Sequence, residues 1–202
     1  RDVLDAEEEE PPERVAGAGS IGDTLRRFFL LGVEHIATGY DHILFLLALL
    51  MVGGGFRSLV AIVTAFTVAH SLTLSLAVLD VVQLPSRLVE SAIALSIAWV
   101  ALENILNDQV RGRWRITFAF GLMHGFGFAS ILREMHLPRS GLVASLLAFN
   151  LGVEAGQLVV VVLSYPLVLA MQRSAHRRWW VGLASGVILV LALWWLVERA
   201  FG

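Results

Sequence analysis

The chain has 202 residues, 57% of them hydrophobic and 16% charged, with a mean hydropathy of +0.74. A soluble domain carries about 25% charged residues, so the composition excludes one and indicates an integral membrane protein. The formal net charge is −2, every basic residue is Arg and there is no cysteine, which excludes a disulfide framework and a thiolate metal site and gives no sign of nucleic-acid binding.

The chain begins at Arg1, which fits either a processed form or a fragment. Residues 1–23 are acidic and poor in large apolar groups, with Glu7-Glu8-Glu9-Glu10-Pro11-Pro12-Glu13 followed by Ala16-Gly17-Ala18-Gly19. Such a composition buries too little surface to fold alone. It reads as a flexible extramembrane tail. The sharper reading is an acidic lure for cations at the membrane surface, or a contact for a membrane or extracytoplasmic protein partner.

Residues 24–202 form the membrane domain. Six apolar segments, each near the ~20 residues a spanning helix needs, are expected at 28–52, 57–79, 87–107, 114–133, 141–167 and 179–197. The expected fold is therefore all-α: a polytopic membrane protein with six transmembrane helices in one bundle. The short Gly53-Gly54-Gly55 turn makes the first two spans antiparallel neighbours. Pro85 and Ser86 open the third. Pro166 kinks or ends the fifth. Trp179-Trp180 and Trp194-Trp195 frame the sixth as interfacial belts. Gly121, Gly125, Gly127 and Ala129, like Gly152 and Gly156, permit close helix contact.

Arginines cluster after spans one, three and five: Arg57; Arg111, Arg113 and Arg115; Arg173, Arg177 and Arg178. Arg87, Arg133, Arg139 and Arg199 lie on the other side, and Arg26 and Arg27 precede span one. The positive-inside bias makes the first set cytoplasmic. In a bacterial-type inner membrane, the expected location, both termini are then extracytoplasmic.

Against this background the stretch Glu34-His35-Ile36-Ala37-Thr38-Gly39-Tyr40-Asp41-His42 stands out. Ionisable groups inside a span are costly and usually functional. In a regular helix His35 and His42 share a stripe but lie about 10 Å apart along the axis. They cannot then share one ion, since metal–nitrogen bonds are near 2 Å. Either Gly39 unwinds the helix or each histidine belongs to a different site. Depth arithmetic at about 1.5 Å per residue favours two levels. His35, His70 and Glu90 fall near the outer face. Asp41, His42, His124 and Asn150 fall in the middle, and Glu154, Gln157 and Glu103 lie inward.

Each has a bland counterpart. Asp41, His42 and His124 make a hydrogen-bonded network that glues helices. His70 bonds to neighbouring Thr67, Ser71 or Thr73. Glu90 complements a helix dipole, and Glu103 is interfacial near Asp108. His136 and His176 fall in loops.

The motifs resemble the HupE/UreJ family of nickel-permease-like membrane proteins. His35-x5-Asp41-His42, residues 39–47, Thr64 to Thr73, Val89 to Ser96, Phe120 to Ala129 and Phe149 to Gln157 carry the resemblance. In the better-known permease branch a second motif resembles Phe-His-Gly-x-Ala-His-Gly-x-Glu. His124 and Gly125 match its beginning, and its second His and its Glu have no counterpart here. The chain resembles the branch with an extracytoplasmic N-terminal region.

The resemblance implies a permease or metal-delivery protein for a nickel/cobalt-type divalent cation. His35, Asp41, His42, His70, His124 and Glu154 are the candidate metal ligands, with Glu90, Glu103, Asn150, Gln157 and Ser71 supporting. Imidazole and carboxylate without thiolate suit Ni²⁺, Co²⁺, Zn²⁺ or Fe²⁺. The competing readings are an intramembrane zinc hydrolase or protease, and a metal or haem chaperone or accessory subunit of a membrane complex. No His-Glu-x-x-His signature supports the hydrolase.

Overall fold

A computed structural model describes residues 21–52, 55–107, 112–128, 132 and 141–202. The acidic stretch 1–20, Gly53, Gly54, Asp108, Arg111, Ala129, Arg133, His136 and Arg139 lie outside the described residues. Seven helices are described: α1 (Ile21–Thr38), α2 (Tyr40–Met51), α3 (Phe56–Val78), α4 (Ser86–Leu106), α5 (Arg113–His124), α6 (Leu142–Arg173) and α7 (Arg177–Phe201). No strand occurs among the described residues.

Four of them, α3, α4, α6 and α7, are long and apolar enough to cross a membrane. The first expected span differs most. It starts at Ile21 rather than Phe28 and is two helices, α1 and α2, bent by 70° at Gly39. Counted as one, the pair is a fifth candidate. The fourth expected span is shorter than its apolar run, because α5 ends at His124 and turns follow through Phe128. Its 12 residues rise only about 18 Å, short of a ~30 Å hydrocarbon core. The glycines that read as helix-contact residues also release the chain from the helix. The fifth neither ends at Pro166 nor stops at 167, since α6 runs to Arg173 with Pro166 inside it. Pro166 loses one backbone bond, but Val161 and Val168 on either side are buried with Leu46, Leu50, Leu59 and Val63. That packing holds the helix together.

The helices pair by close backbone approach. A Cβ on Gly32 would overlap Phe149 and Val153, one on Gly152 would overlap Phe29 and Val33, and one a turn further on, at Gly156, would press on Ile36, so α1 and α6 run parallel in contact. Gly121 meets Phe66, and Gly125 meets His70 and Thr73, which sets α5 parallel to α3. Without lipid-excluding hydrophobic force, such small-residue contacts drive helix association in membranes. On α7, Val181, Ser185, Ile188 and Ala192 form the only buried stripe, at helical spacing, and it packs on α4. Leucines, valines and tryptophans elsewhere on the surface are exposed: Leu95, Trp99, Leu147, Leu163 and Trp194 among them. This is the lipid face of a membrane domain.

One polar knot lies apart from the histidines. The last carbonyls of a helix have no partner within it. Asn104 Nδ2 donates to the Ala48 carbonyl at 2.7 Å, and Arg113 donates to the Leu49 carbonyl at 2.8 Å. Arg113 also bonds the Asn104 side chain. Arg113 is 5% exposed. It is therefore a buried cap on α2, rather than the solvated loop charge that the sequence suggests.

Candidate metal centre

His35 occupies the last turn of α1, and His42 the first turn of α2. Between them Gly39 has φ −78° and ψ 84°. The backbone bond from Gly39 N to the His35 carbonyl closes α1 at 2.9 Å, and that from Ile43 N to the Gly39 carbonyl starts α2 at 3.1 Å. Only one residue separates the helices. A Cβ at Gly39 would lie 2.6 Å from the His35 carbonyl and 3.0 Å from His42 Nδ1, so the side-chain space of residue 39 is what the turn uses up.

The bend overturns the two-level arrangement. The His35 and His42 ring centroids are 4.6 Å apart, and His70 of α3 is 6.0 Å from each. One ring nitrogen from each of the three lies within 4.8 Å of the others. Of the two options that the sequence leaves open, unwinding at Gly39 is the one realised.

The hydrogen bonds define which atoms are free. Asp41 Oδ1 accepts from the His42 backbone amide at 2.8 Å and from His42 Nδ1 at 3.0 Å. A carboxylate acceptor places the proton on Nδ1 and leaves Nε2 with its lone pair, the arrangement that orients metal-binding histidines. His42 Nε2, His35 Nε2 and both nitrogens of His70 are buried and have no hydrogen-bond partner. Buried polar atoms rarely stay unpartnered. One nitrogen from each of the three histidines, all within 4.8 Å of one another, makes a donor set able to hold one divalent ion.

His124 stands next to this trio, its ring 4.9 Å from that of His42. Its Nε2 lies 3.0 Å from Ser96 Oγ, whose own proton goes to the Ile93 carbonyl at 2.7 Å. His124 Nε2 must then donate, and its buried Nδ1 carries a lone pair with no partner. Phe45 and Phe66 line His124, while Phe128 and Phe149 line His35. The centre is thus wrapped in aromatic rings that exclude water.

The remaining candidates fall in graded positions. Asn150 faces His70, and its Nδ2 donates to the Leu146 carbonyl at 2.8 Å. Glu154 accepts from Thr64 and Gln157 from Thr67, both at 2.9 Å, bridging α3 and α6. Neither Glu154 nor Gln157 belongs to the three-histidine group. Ser71 donates to the Thr67 carbonyl of its own helix at 2.6 Å. The hydroxyls around His70 therefore satisfy helix carbonyls and Gln157 rather than the imidazole. Glu90 is exposed on α4 and is not part of the three-histidine group; its carbonyl accepts from Arg199 at 3.3 Å. Glu103 is half-buried in the same turn of α4 as Asn104, at the end that holds Arg113. The sequence reading passes over Ser96, the phenylalanine shell and Arg199. A lone hydroxyl in the apolar run of α4 is the signal that points to Ser96.

A helical membrane domain with imidazoles gathered at a break in a span defines a polytopic membrane protein with an intramembrane histidine centre. The family model described as HupE / UreJ protein matches residues 12–199, and the chain belongs to that family. No curated protein and no solved structure matches the chain.

Proposed function

We propose that the protein is a permease for a divalent transition-metal ion of the nickel/cobalt type. The observation that carries this is the convergence of unpartnered nitrogens from His35, His42 and His70 at a broken span. Broken helices at membrane depth are where transporters place their substrate ions. A tetrahedral ion with bonds of ~2.0–2.1 Å holds its nitrogens about 3.4 Å apart. The three donors, up to 4.8 Å apart, close on an ion by small ring movements. A loose set suits a site that must also release. His124, with its free Nδ1, is the next station, and the Thr64–Glu154 and Thr67–Gln157 bridges continue the polar line inward.

The helix directions alternate as six passes would, and the arginine bias is what favours an inner membrane with both termini outward. The α2 carboxyl end meets the α4 carboxyl end and the α5 amino end, whereas the α7 carboxyl end meets the α4 amino end. Parallel α1 with α6, and α3 with α5, fits the same alternation. The three-imidazole set also resembles catalytic zinc with an open position. That reading needs a free carboxylate as base, but Asp41 is held by His42 and Glu154 by Thr64.

Uptake into proteoliposomes tests the proposal. Cobalt or nickel accumulation is expected with the intact protein and is lost, by at least about tenfold, with His42→Ala. Equal uptake by the two proteins sinks it.

A further inference from the structure

Asp41 has two oxygens, and the centre uses only one. Its Oδ2 lies 3.6 Å from a guanidinium nitrogen of Arg199, in the last turn of α7. The same guanidinium donates to the Glu90 carbonyl at 3.3 Å and sits 5.4 Å from the Trp195 ring centroid. Beyond it opens a cleft of about 510 Å³, lined by Ser86, Arg87, Glu90, Trp195, Glu198 and Arg199. Glu90 and Glu198 are exposed. From the cleft inward come the exposed Glu90, Glu198 and Arg87, then Arg199, Asp41 and His42.

We infer that Arg199 is a gate, a positioning residue that closes the cleft-side entrance to the histidine centre by pairing with Asp41. The inference rests on the permease reading for the identity of the cation. A divalent ion entering through the cleft is drawn by Glu90 and Glu198 and then meets a fixed positive charge. Repulsion between like charges grows steeply as water is excluded. Arg199 is partly exposed, with a side-chain accessibility of 22%, and its contacts to Glu90 and Asp41 are long, at 3.3 and 3.6 Å, so a swing toward the cleft carboxylates breaks no short bond. As it leaves Asp41, the incoming cation takes its place as counter-charge, and no uncompensated carboxylate stays buried. The plainer role, a cation favouring the carboxyl end of α7, needs neither Asp41 nor the cleft.

A thiol probe separates the two without using a metal. The chain has no cysteine, so His42→Cys supplies one reactive thiol behind the gate. Its modification by a cationic methanethiosulfonate is followed in proteoliposomes, with Arg199 retained and with Arg199→Gln. The gate predicts a rate about tenfold or more higher in the Arg199→Gln variant, the scale on which charge controls access to a cleft. Arg199→Lys keeps the charge and keeps the slow rate. Equal rates with and without the Arg199→Gln substitution, including no reaction in either protein, overturn the gate. Faster modification in the Arg199→Gln variant, combined with no cobalt uptake by the intact protein, leaves the gate standing and removes the permease.

Discussion

His70→Leu is expected to weaken cobalt binding by about a hundredfold while leaving the protein as stable as before, or more so. The two effects have separate causes. A set of four ligands supplies about 10–16 kcal/mol to a structural zinc, so one donor is worth roughly 3 kcal/mol. Removing the His70 donor from a set of three forfeits that share. Folding loses nothing comparable, because neither ring nitrogen of His70 has a hydrogen-bond partner and the residue is 0% exposed. Each unpartnered buried polar group costs about 1–3 kcal/mol. Leucine fills a similar volume without that cost, and volume-conserving swaps are tolerated well. Cobalt titration and thermal unfolding in detergent read the two effects independently. If His70 serves only to join helices, the result reverses: unfolding moves to lower temperature.

Arg113→Ala acts in the opposite way, on folding first. It removes the donor to Leu49, the weaker of two donors to Ala48 and the partner of Asn104 at a buried point where α2, α4 and α5 meet. Hydrogen bonds from a charged group contribute about 1.5–3 kcal/mol each, and the Leu49 carbonyl and Asn104 oxygen are left buried without a partner. A loss of roughly 3 kcal/mol or more follows. Arg113→Lys recovers little, since an ammonium cannot reproduce the guanidinium fork. Because α2 carries His42, metal affinity falls along with the unfolding temperature in this variant. Unfolding of Arg113→Ala at the same temperature as the parent protein contradicts the capping role.

The contrast between these two sites shows what the linear sequence reveals and what it hides. Apolar runs placed the third and sixth spans within a few residues, because composition alone decides what faces lipid. The identity of His35, Asp41, His42, His70 and His124 as unusual was also legible, since ionisable groups within a span are rare. Their grouping was not. It depends on a 70° bend at Gly39, and a glycine after Thr38 looks the same in a straight helix. The contacts at the bend are local, with the Asp41 side chain on the His42 amide and the His35 carbonyl in the space of the absent Cβ, but the third histidine, His70, comes from another helix. Arg113 was misread for a related reason. The carbonyls it caps lie 64 and 65 positions earlier in the chain, and nothing local distinguishes it from Arg111 or Arg115. The early end of α5 was hidden as well, because Phe126 and Phe128 extend the apolar run beyond the last helical residue.

X-ray absorption at the cobalt edge of the metal-loaded protein tests the histidine centre most directly. The account predicts three imidazole nitrogens at about 2.0–2.1 Å, with the imidazole scattering reduced by a third in His70→Leu. A cobalt shell with one imidazole or none, or one unchanged by His70→Leu, contradicts it.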